Sequence, residues 1–522
     1  MLRRLASIIS LFLCLAAFVS GQELKGTWVG SIEADDFFGA LRLDFSGDPN
    51  QAGSKVTLYY AGDKRNGTIE LFRTSGDEVT FEGKMQPLAR FSGKVAGEKI
   101  GGTFNIVSRS GAVSGTGVWE TRRVDPASIT ETAKAAPATA VKFELPKPTG
   151  KSAIGRSLFH WVDESRAETI TDDPADKRRL FVQLWYPASN ARTAAAAPYI
   201  PDLEELRRAE PNIPDLTMLR THAVVDAAPA KGERNFPLIV FSPGLGSSPF
   251  GYTTIIENLV SHGYAVAAIN HPYDTANFKS SDGSIVAYAG AKWDREAPKD
   301  WTADERKKFF DDRRLQWAAD ASFVVDQLSR QNSAISKRLD FTNLGMLGHS
   351  FGGQAASIVC AADARFKACA NLDGQAQGNA FLPDSSGKVI RQPFLFFTKA
   401  PEVTNFELSM MGLSRQEYRS RELKRFERFK PGYKTRMASL ESGGHLLTFL
   451  GAKHSSFSDS PLYDSRSEQS YDERVKTAKA VNEYVLSFFD KYLLGKANTL
   501  LDGKVKSQHN VIVQYLKHSP QP

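Results

Sequence analysis

One short run constrains this chain more than any other. Pro237-Leu238-Ile239-Val240-Phe241 is apolar without interruption, which fits a strand covered on both faces rather than one with a wet side. Strands and helical patterns alternate around it. Leu180–Tyr186 reads as a strand closed by Pro187, Thr254–His262 as a helix, Ala265–Ile269 as a strand, and Leu315–Leu328 as a helix by its apolar spacing. Strands at Leu344–Leu347, Lys367–Leu372, Pro393–Phe397 and Leu446–Leu450 follow, and Val475–Leu494 is a long closing helix. Such alternation predicts an α/β domain over residues 151–522, with a mainly parallel sheet covered by helices.

The chain before residue 125 is of another kind. Eight short segments are predicted as strands: Gly26–Ile32, Ala40–Phe45, Lys55–Tyr60, Thr68–Phe72, Glu78–Glu82, Ala89–Val95, Lys99–Asn105 and Ser114–Thr121. Most alternate apolar with polar residues, and Asn66-Gly67 and Ser75-Gly76-Asp77 supply turn chemistry. With no helical pattern between them, residues 22–124 predict a small antiparallel barrel or sandwich, an accessory or ligand-binding module. Ala-rich Ala133–Ala140 and Pro146-Lys147-Pro148 give residues 125–150 a linker composition.

Residues 1–21 read as a secretory signal peptide: a basic start at Leu2-Arg3-Arg4, an apolar run from Leu5 to Val19, then small Ser20 and Gly21. The expected destination is secreted or periplasmic. Cys14 follows bulky Leu13, so no lipid is expected on it. A net charge of +7 over 522 residues is mild. No basic stripe is interleaved with stacking aromatics, so nucleic acid is not an expected partner. Transient contact with a membrane surface stays open through the basic helix predicted at Arg415–Lys430, though its interleaved Glu417, Glu422 and Glu427 favour a solvated helix. Cys360 and Cys369 read as buried small hydrophobes slightly ahead of a disulfide. No CxxC or clustered histidine pattern suggests a metal, and no cofactor is expected.

The chemistry-bearing segment is Leu344-Gly345-Met346-Leu347-Gly348-His349-Ser350-Phe351-Gly352-Gly353. It places G-x-S-x-G after a predicted strand and before the helical run Gln354–Val359. A sharp strand-to-helix turn holds a serine in a strained conformation, and only residues with almost no side chain fit two positions either side. Ser350 is thus the candidate nucleophile. It needs a base, and the base needs a carboxylate. Asp373, just past the strand ending at Leu372, is preferred over Asp363 in the preceding turn. His454, in the loop after Leu446–Leu450, is preferred over His445, which precedes that strand. His349 beside the nucleophile reads as packing. Two backbone N–H groups are expected to face a developing oxyanion, those of Phe351 and of Leu245 in Ser242-Pro243-Gly244-Leu245-Gly246. Phe406, Leu408, Met410, Met411 and Leu413, together with Phe381-Leu382, are candidates for facing a greasy substrate or for core packing.

These motifs resemble the intracellular type II and plasma platelet-activating factor acetylhydrolases and their bacterial dienelactone-hydrolase-like relatives. The likeness runs through Gly348-His349-Ser350-Phe351-Gly352-Gly353, Leu372-Asp373, Gly451-x-x-His454-x-x-Phe457-x-Asp459, Phe241-Ser242-x-Gly244-Leu245-Gly246 and Leu184-Trp185-Tyr186-Pro187. It implies an α/β-hydrolase fold and a calcium-independent serine esterase acting on small-molecule or lipid esters with short or oxidised acyl chains. It also implies Ser350, Asp373 and His454 as the triad. The chain departs from the animal enzymes at Pro243, where they carry His, and in its N-terminal β-domain. Thr275–Arg314 and Phe406–Ser442 read as insertions that shape the acyl and leaving-group pockets. Dienelactone-type and cutinase-like or polyester hydrolases are the first alternatives, a peptidase is the second, and a non-enzymatic binding protein built on the β-domain and a dead hydrolase scaffold is the third, against which the complete Ser/Asp/His order speaks.

Overall fold

The computed structural model describes residues 24–34, 38–48, 50–60, 63–85, 88–107, 113–129, 144–189, 195–211, 213–290, 302–374, 390–400, 403–422, 424–425, 440–464, 470–497, 500–501 and 511–516. The proposed signal peptide, most of the linker and Phe381-Leu382 lie outside the described residues.

The chain divides into two compact units, Met1–Lys134 with Glu402–Pro431, and Ala135–Pro401 with Gly432–Pro522. In the first, eight strands form a closed barrel: β1 (Gly26–Ala34), β2 (Phe38–Phe45), β3 (Lys55–Tyr60), β4 (Asp63–Ser75), β5 (Glu78–Lys84), β6 (Leu88–Ala96), β7 (Lys99–Val107) and β8 (Val113–Val124). Closure comes from β1, which pairs antiparallel with both β2 and β8 and so removes the free edges a sandwich would keep. The period-2 pattern turns one set of side chains inward. Trp28, Leu41, Leu43, Phe45, Val56, Phe81, Phe91, Phe104 and Trp119 fill the interior. Polar atoms carried in with them are satisfied, as where the Trp28 indole donates to Leu24 O at 2.9 Å.

The barrel also holds a segment from far along the chain. Helix α5 (Asn405–Met411) and helical residues 415–422 belong to this unit. Phe406, Leu408, Met410, Met411, Leu413 and Tyr418 pack on Val29, Phe38, Ala40 and Tyr59. Arg122 donates to Met410 O at 2.9 Å and Ser409 O at 3.1 Å, capping the carbonyl end of α5. The Tyr418 ring stacks on Phe38 at 5.2 Å. Of the two roles the sequence left open for Phe406, Leu408, Met410, Met411 and Leu413, the packing role is the one seen here. The basic helix is likewise not simply solvated, since Tyr418 and the ion-paired Glu422 and Arg425 are buried.

The second unit carries one eleven-stranded sheet. Its strands are β9 (Ala153–Ala167), β10 (Lys177–Ala188), β11 (Ala196–Pro198), β12 (Arg220–Val225), β13 (Phe236–Ser242), β14 (Ala265–Asn270), β17 (Leu339–His349), β18 (Phe366–Leu372), β19 (Phe394–Ala400), β20 (Gly444–Leu450) and β21 (Val511–Leu516). β15 (Phe278–Lys279) and β16 (Ile285–Val286) form a separate hairpin. The order β14-β13-β17-β18-β19-β20 is parallel throughout. Every residue of β13 and β14 is buried, as the uninterrupted apolar runs require. Helices α2 (Thr253–Ser261) and α6 (Tyr471–Leu494) cover one face through Ile256, Leu259, Tyr484, Val485 and Phe488. Helices α3 (Ala303–Arg330) and α4 (Phe351–Ala362) pack together against the same strands; α1 (Leu203–Ala209) lies between β11 and β12 in sequence.

The structure starts α3 much earlier than its apolar spacing does. The first turns are charged and solvated, so periodicity is silent there. The local signal is the capping box, in which the Thr302 side chain accepts Glu305 N–H and the Glu305 carboxylate accepts Thr302 N–H. β9 and β21 also escape the sequence pattern.

Deletion of residues 22–124 is expected to leave Leu408, Met410 and Met411 uncovered. The shortened chain should bind a hydrophobic dye and self-associate on size exclusion, unlike the full chain. A monodisperse, dye-silent truncation would refute the role of the barrel as a cover.

Candidate active site

The carboxyl ends of adjacent parallel strands converge, the place where open α/β sheets bind ligands. β17 ends at His349, and Ser350 turns the chain into α4 with φ 54 and ψ −119. A non-glycine residue at positive φ is held there only by its surroundings. Ser350 N–H donates to Leu372 O at 2.9 Å, and Gly352 N–H to Pro243 O at 3.1 Å. A Cβ on Gly352 would collide with the Ser242 and Pro243 carbonyls, and one on Gly348 with the Gly352 backbone. The glycines of G-x-S-x-G are therefore required by contact.

The structure brings together the three side chains singled out in the sequence. Ser350 Oγ lies 2.9 Å from His454 Nε2, and His454 Nδ1 lies 2.5 Å from Asp373 Oδ2. Asp373, 2% exposed, follows β18 at φ 49. Its turn is locked by Asn371, whose Oδ1 accepts Gly374 N–H at 2.7 Å. Asp363 is elsewhere, paired with Arg365 and Ser322. His445 sits at the start of β20, bonded to Tyr492 Oη at 2.8 Å.

Loop residues 243–248 face the serine. Gly244 N–H donates to Tyr252 Oη, Gly246 N–H to Asp274 O and Ser247 N–H to Gly244 O. The N–H groups of Leu245 and Phe351 have no acceptor among the described residues.

His349 does more than pack. Tyr252 Oη donates to His349 Nδ1 at 2.7 Å, and His349 Nε2–H donates to His454 O at 3.1 Å. Gly244, Tyr252, His349 and His454 thus form one hydrogen-bonded chain from the loop after β13 to His454. Burial pushes the His349 imidazole down to about 3, so it stays neutral and keeps this tautomer.

Beneath the loop lies a buried charge network. Ser242 Oγ donates to His271 Nε2 at 3.1 Å and His271 Nδ1–H to Asp320 Oδ2 at 2.7 Å. Arg178 bridges Asp320 and Glu168. Burial works against the Asp320 charge, yet Arg178 and His271 hold this carboxylate well below its usual range. Arg313 Nε at 2.9 Å and Trp317 Nε1 at 2.7 Å donate to Asp274, whose carbonyl fixes Gly246. These residues are far apart in sequence, and no local motif announces them.

Two further differences concern the turns around the site. Cys360, in the last turn of α4, and Cys369, in β18, form a disulfide at a Cα separation of 6.5 Å, where the sequence slightly favoured free thiols. The crossover from α4 back to β18 brings the pair within bonding reach. Asp459 is buried below the His454 loop. It accepts Tyr199 Oη–H at 3.0 Å and Thr254 N–H at 3.3 Å, and so caps α2. Burial pushes its carboxyl up to about 7.

With this geometry in view, known proteins provide a comparison. The family model described as platelet-activating factor acetylhydrolase, isoform II, matches residues 138–281. A probable 1-alkyl-2-acetylglycerophosphocholine esterase from Arthroderma benhamiae is 26% identical over 48% of this chain and 64% of its own. Platelet-activating factor acetylhydrolase from Cavia porcellus is 28% identical over 28% of this chain and 36% of its own. The chain resembles the platelet-activating factor acetylhydrolases. The matches span less than two thirds of either relative's length. A solved ferulic acid esterase from Streptomyces cinnamoneus superposes with a TM-score of 0.54 at 28% identity, over 72% of this chain and 99% of its own. Family and esterase neighbour together suggest an α/β hydrolase.

Two outcomes test this anatomy. Tyr252→Phe strands Gly244 N–H and His349 Nδ1, and should lower unfolding free energy by about 1–3 kcal/mol in urea titration. For Asp459, a folded-state pKa raised above the unfolded value means stability present in acid and lost as pH rises from about 4 through about 7. Asp459→Asn should therefore gain on wild type between about pH 5 and about pH 8 in paired denaturation curves. An unchanged difference would show that Asp459 does not carry the linkage.

Proposed function

We propose that this chain is a serine carboxylic ester hydrolase of the α/β-hydrolase fold, with Ser350, His454 and Asp373 as its triad. The observation that carries the reading is the relay from Ser350 Oγ through both His454 nitrogens to Asp373, facing two N–H groups that have no acceptor among the described residues. His454 Nε2 takes the Ser350 proton as Oγ bonds to the ester carbonyl carbon. Asp373 holds the imidazole in that tautomer and balances the imidazolium that forms. Leu245 and Phe351 N–H groups receive the oxyanion, each contributing on the order of 3 kcal/mol. Collapse returns the proton to the leaving alcohol and leaves an acyl-serine, which water hydrolyses by the same route in reverse.

The substrate class is a small or lipid ester with a short or oxidised acyl chain; the relatives are named for acetyl esters. Aromatic-acid esters are a second reading. Trp317 and Phe351 are joined by Leu245 and Phe310 in one cluster beside the nucleophile, and the structural neighbour is named for ferulic acid. Export to an oxidising compartment fits the Cys360–Cys369 disulfide.

Ser350→Ala should lower p-nitrophenyl acetate turnover by at least about a thousandfold with folding intact by circular dichroism. A panel of acetyl, butyryl, octanoyl, feruloyl, dienelactone, polyester and short-chain phospholipid substrates assigns the class by kcat/KM. Equal turnover by wild type and variant would exclude Ser350 from the chemistry.

A further inference from the structure

Asp373 has a second partner that the serine–histidine–acid pattern does not supply. Lys399 lies on β19, two residues beyond Phe397, whose carbonyl receives Asp373 N–H at 3.0 Å. Its ammonium donates to Asp373 Oδ2, the same oxygen that accepts His454 Nδ1–H. The Lys399 side chain is 21% exposed and that of Asp373 3%, so the pair is largely withdrawn from water. Gly451 N–H donates to Ala400 O at 2.7 Å, holding the chain that leads to His454 beside Lys399. Three neighbouring strands, β18, β19 and β20, thus deliver an acid, an ammonium and a base to one oxygen.

Among the described residues, few groups face this oxygen. The turn after β18 brings Asp373, β19 brings Lys399, and β17 brings His349, whose ring centre is 4.6 Å from that of His454. His349 is neutral and adds no formal charge. The loop after β20 carries exposed Lys453 beside His454. Among the described residues, Lys399 is the cation bonded directly to the Asp373 carboxylate.

We propose that Lys399 is a positioning residue that sets the pH range over which His454 serves as a base. A lone carboxylate behind an imidazole favours the imidazolium. An ammonium on the same oxygen offsets part of that field, so the imidazole stays neutral and able to accept the serine proton at lower pH. It also fills a bonding position on a buried carboxylate. This inference rests on the esterase reading.

The test compares wild type, Lys399→Met, Lys399→Gln and Lys399→Arg. The rate of Ser350 labelling by a fluorophosphonate and kcat/KM for p-nitrophenyl acetate are followed from about pH 4 to about pH 9. In Lys399→Met the acid limb of both profiles should move up by about one pH unit, a loss of about tenfold on the limb, with KM on the plateau unchanged within about twofold. Lys399→Gln, which keeps a donor without charge, should show the same shift and serves if Lys399→Met does not fold. Lys399→Arg should keep the wild-type limb. A limb that stays in place or moves to lower pH in both uncharged variants overturns the proposal. A wild type that is never labelled at Ser350 overturns the esterase reading itself, whereas labelling with an unmoved limb removes only Lys399.

Discussion

Three turns at the top of the sheet approach too closely for side chains to intervene, and the geometry of the site depends on that contact. Gly352 donates to Pro243 O in the loop after β13, while Ser350 donates to Leu372 O at the end of β18. These two bonds tie the Ser350 turn to the loop after β13 on one side and to the Asp373 turn on the other. They hold Ser350 and Asp373 at positive φ, where neither would rest alone. With the backbone so fixed, the Ser350, His454 and Asp373 side chains have little freedom left.

Charge beneath and beside the site follows one rule: buried charges are paired. Arg178, Asp320, Glu168, Arg313 and Asp274 interlock under the oxyanion loop, because a lone ion there would not survive loss of its hydration. Two of the buried histidines, His349 and His271, work as neutral connectors, each with one nitrogen donating and one accepting. His454 differs in being half exposed while bonded to Ser350 and Asp373. Lys399 is the point where the charge rule reaches the relay itself.

The first unit is assembled from two separate parts of the chain, the barrel strands and Glu402–Pro431. The segment between β19 and β20 leaves the sheet, buries Met410 and Tyr418 against barrel strands, and returns to build β20, which leads to His454. An apolar helix face needs a cover, and here β1, β2 and β3 supply it. A barrel read alone as an accessory module is therefore a packing partner for part of the other domain's sequence.

The parallel strands and the nucleophile turn were legible in the sequence because their determinants are local: unbroken apolar runs at Leu238–Phe241 and Ala265–Ile269, and glycines two residues either side of Ser350. The acid and base candidates, Asp373 and His454, could be named from their places just past strands. Asn371, Tyr252, Asp459, His271 and Lys399 could not be given roles, since each role is a contact between residues distant along the chain. The same holds for the Cys360–Cys369 bond and for Met410 on the barrel. Periodicity reports which face of an element is apolar, but not what will cover it, and spacing cannot tell which charge a buried carboxylate will meet. Sequence alone determined the strands, the turn and the reacting residue types; tertiary folding decided their partners, because hydrogen bonds and ion pairs form between neighbours in space.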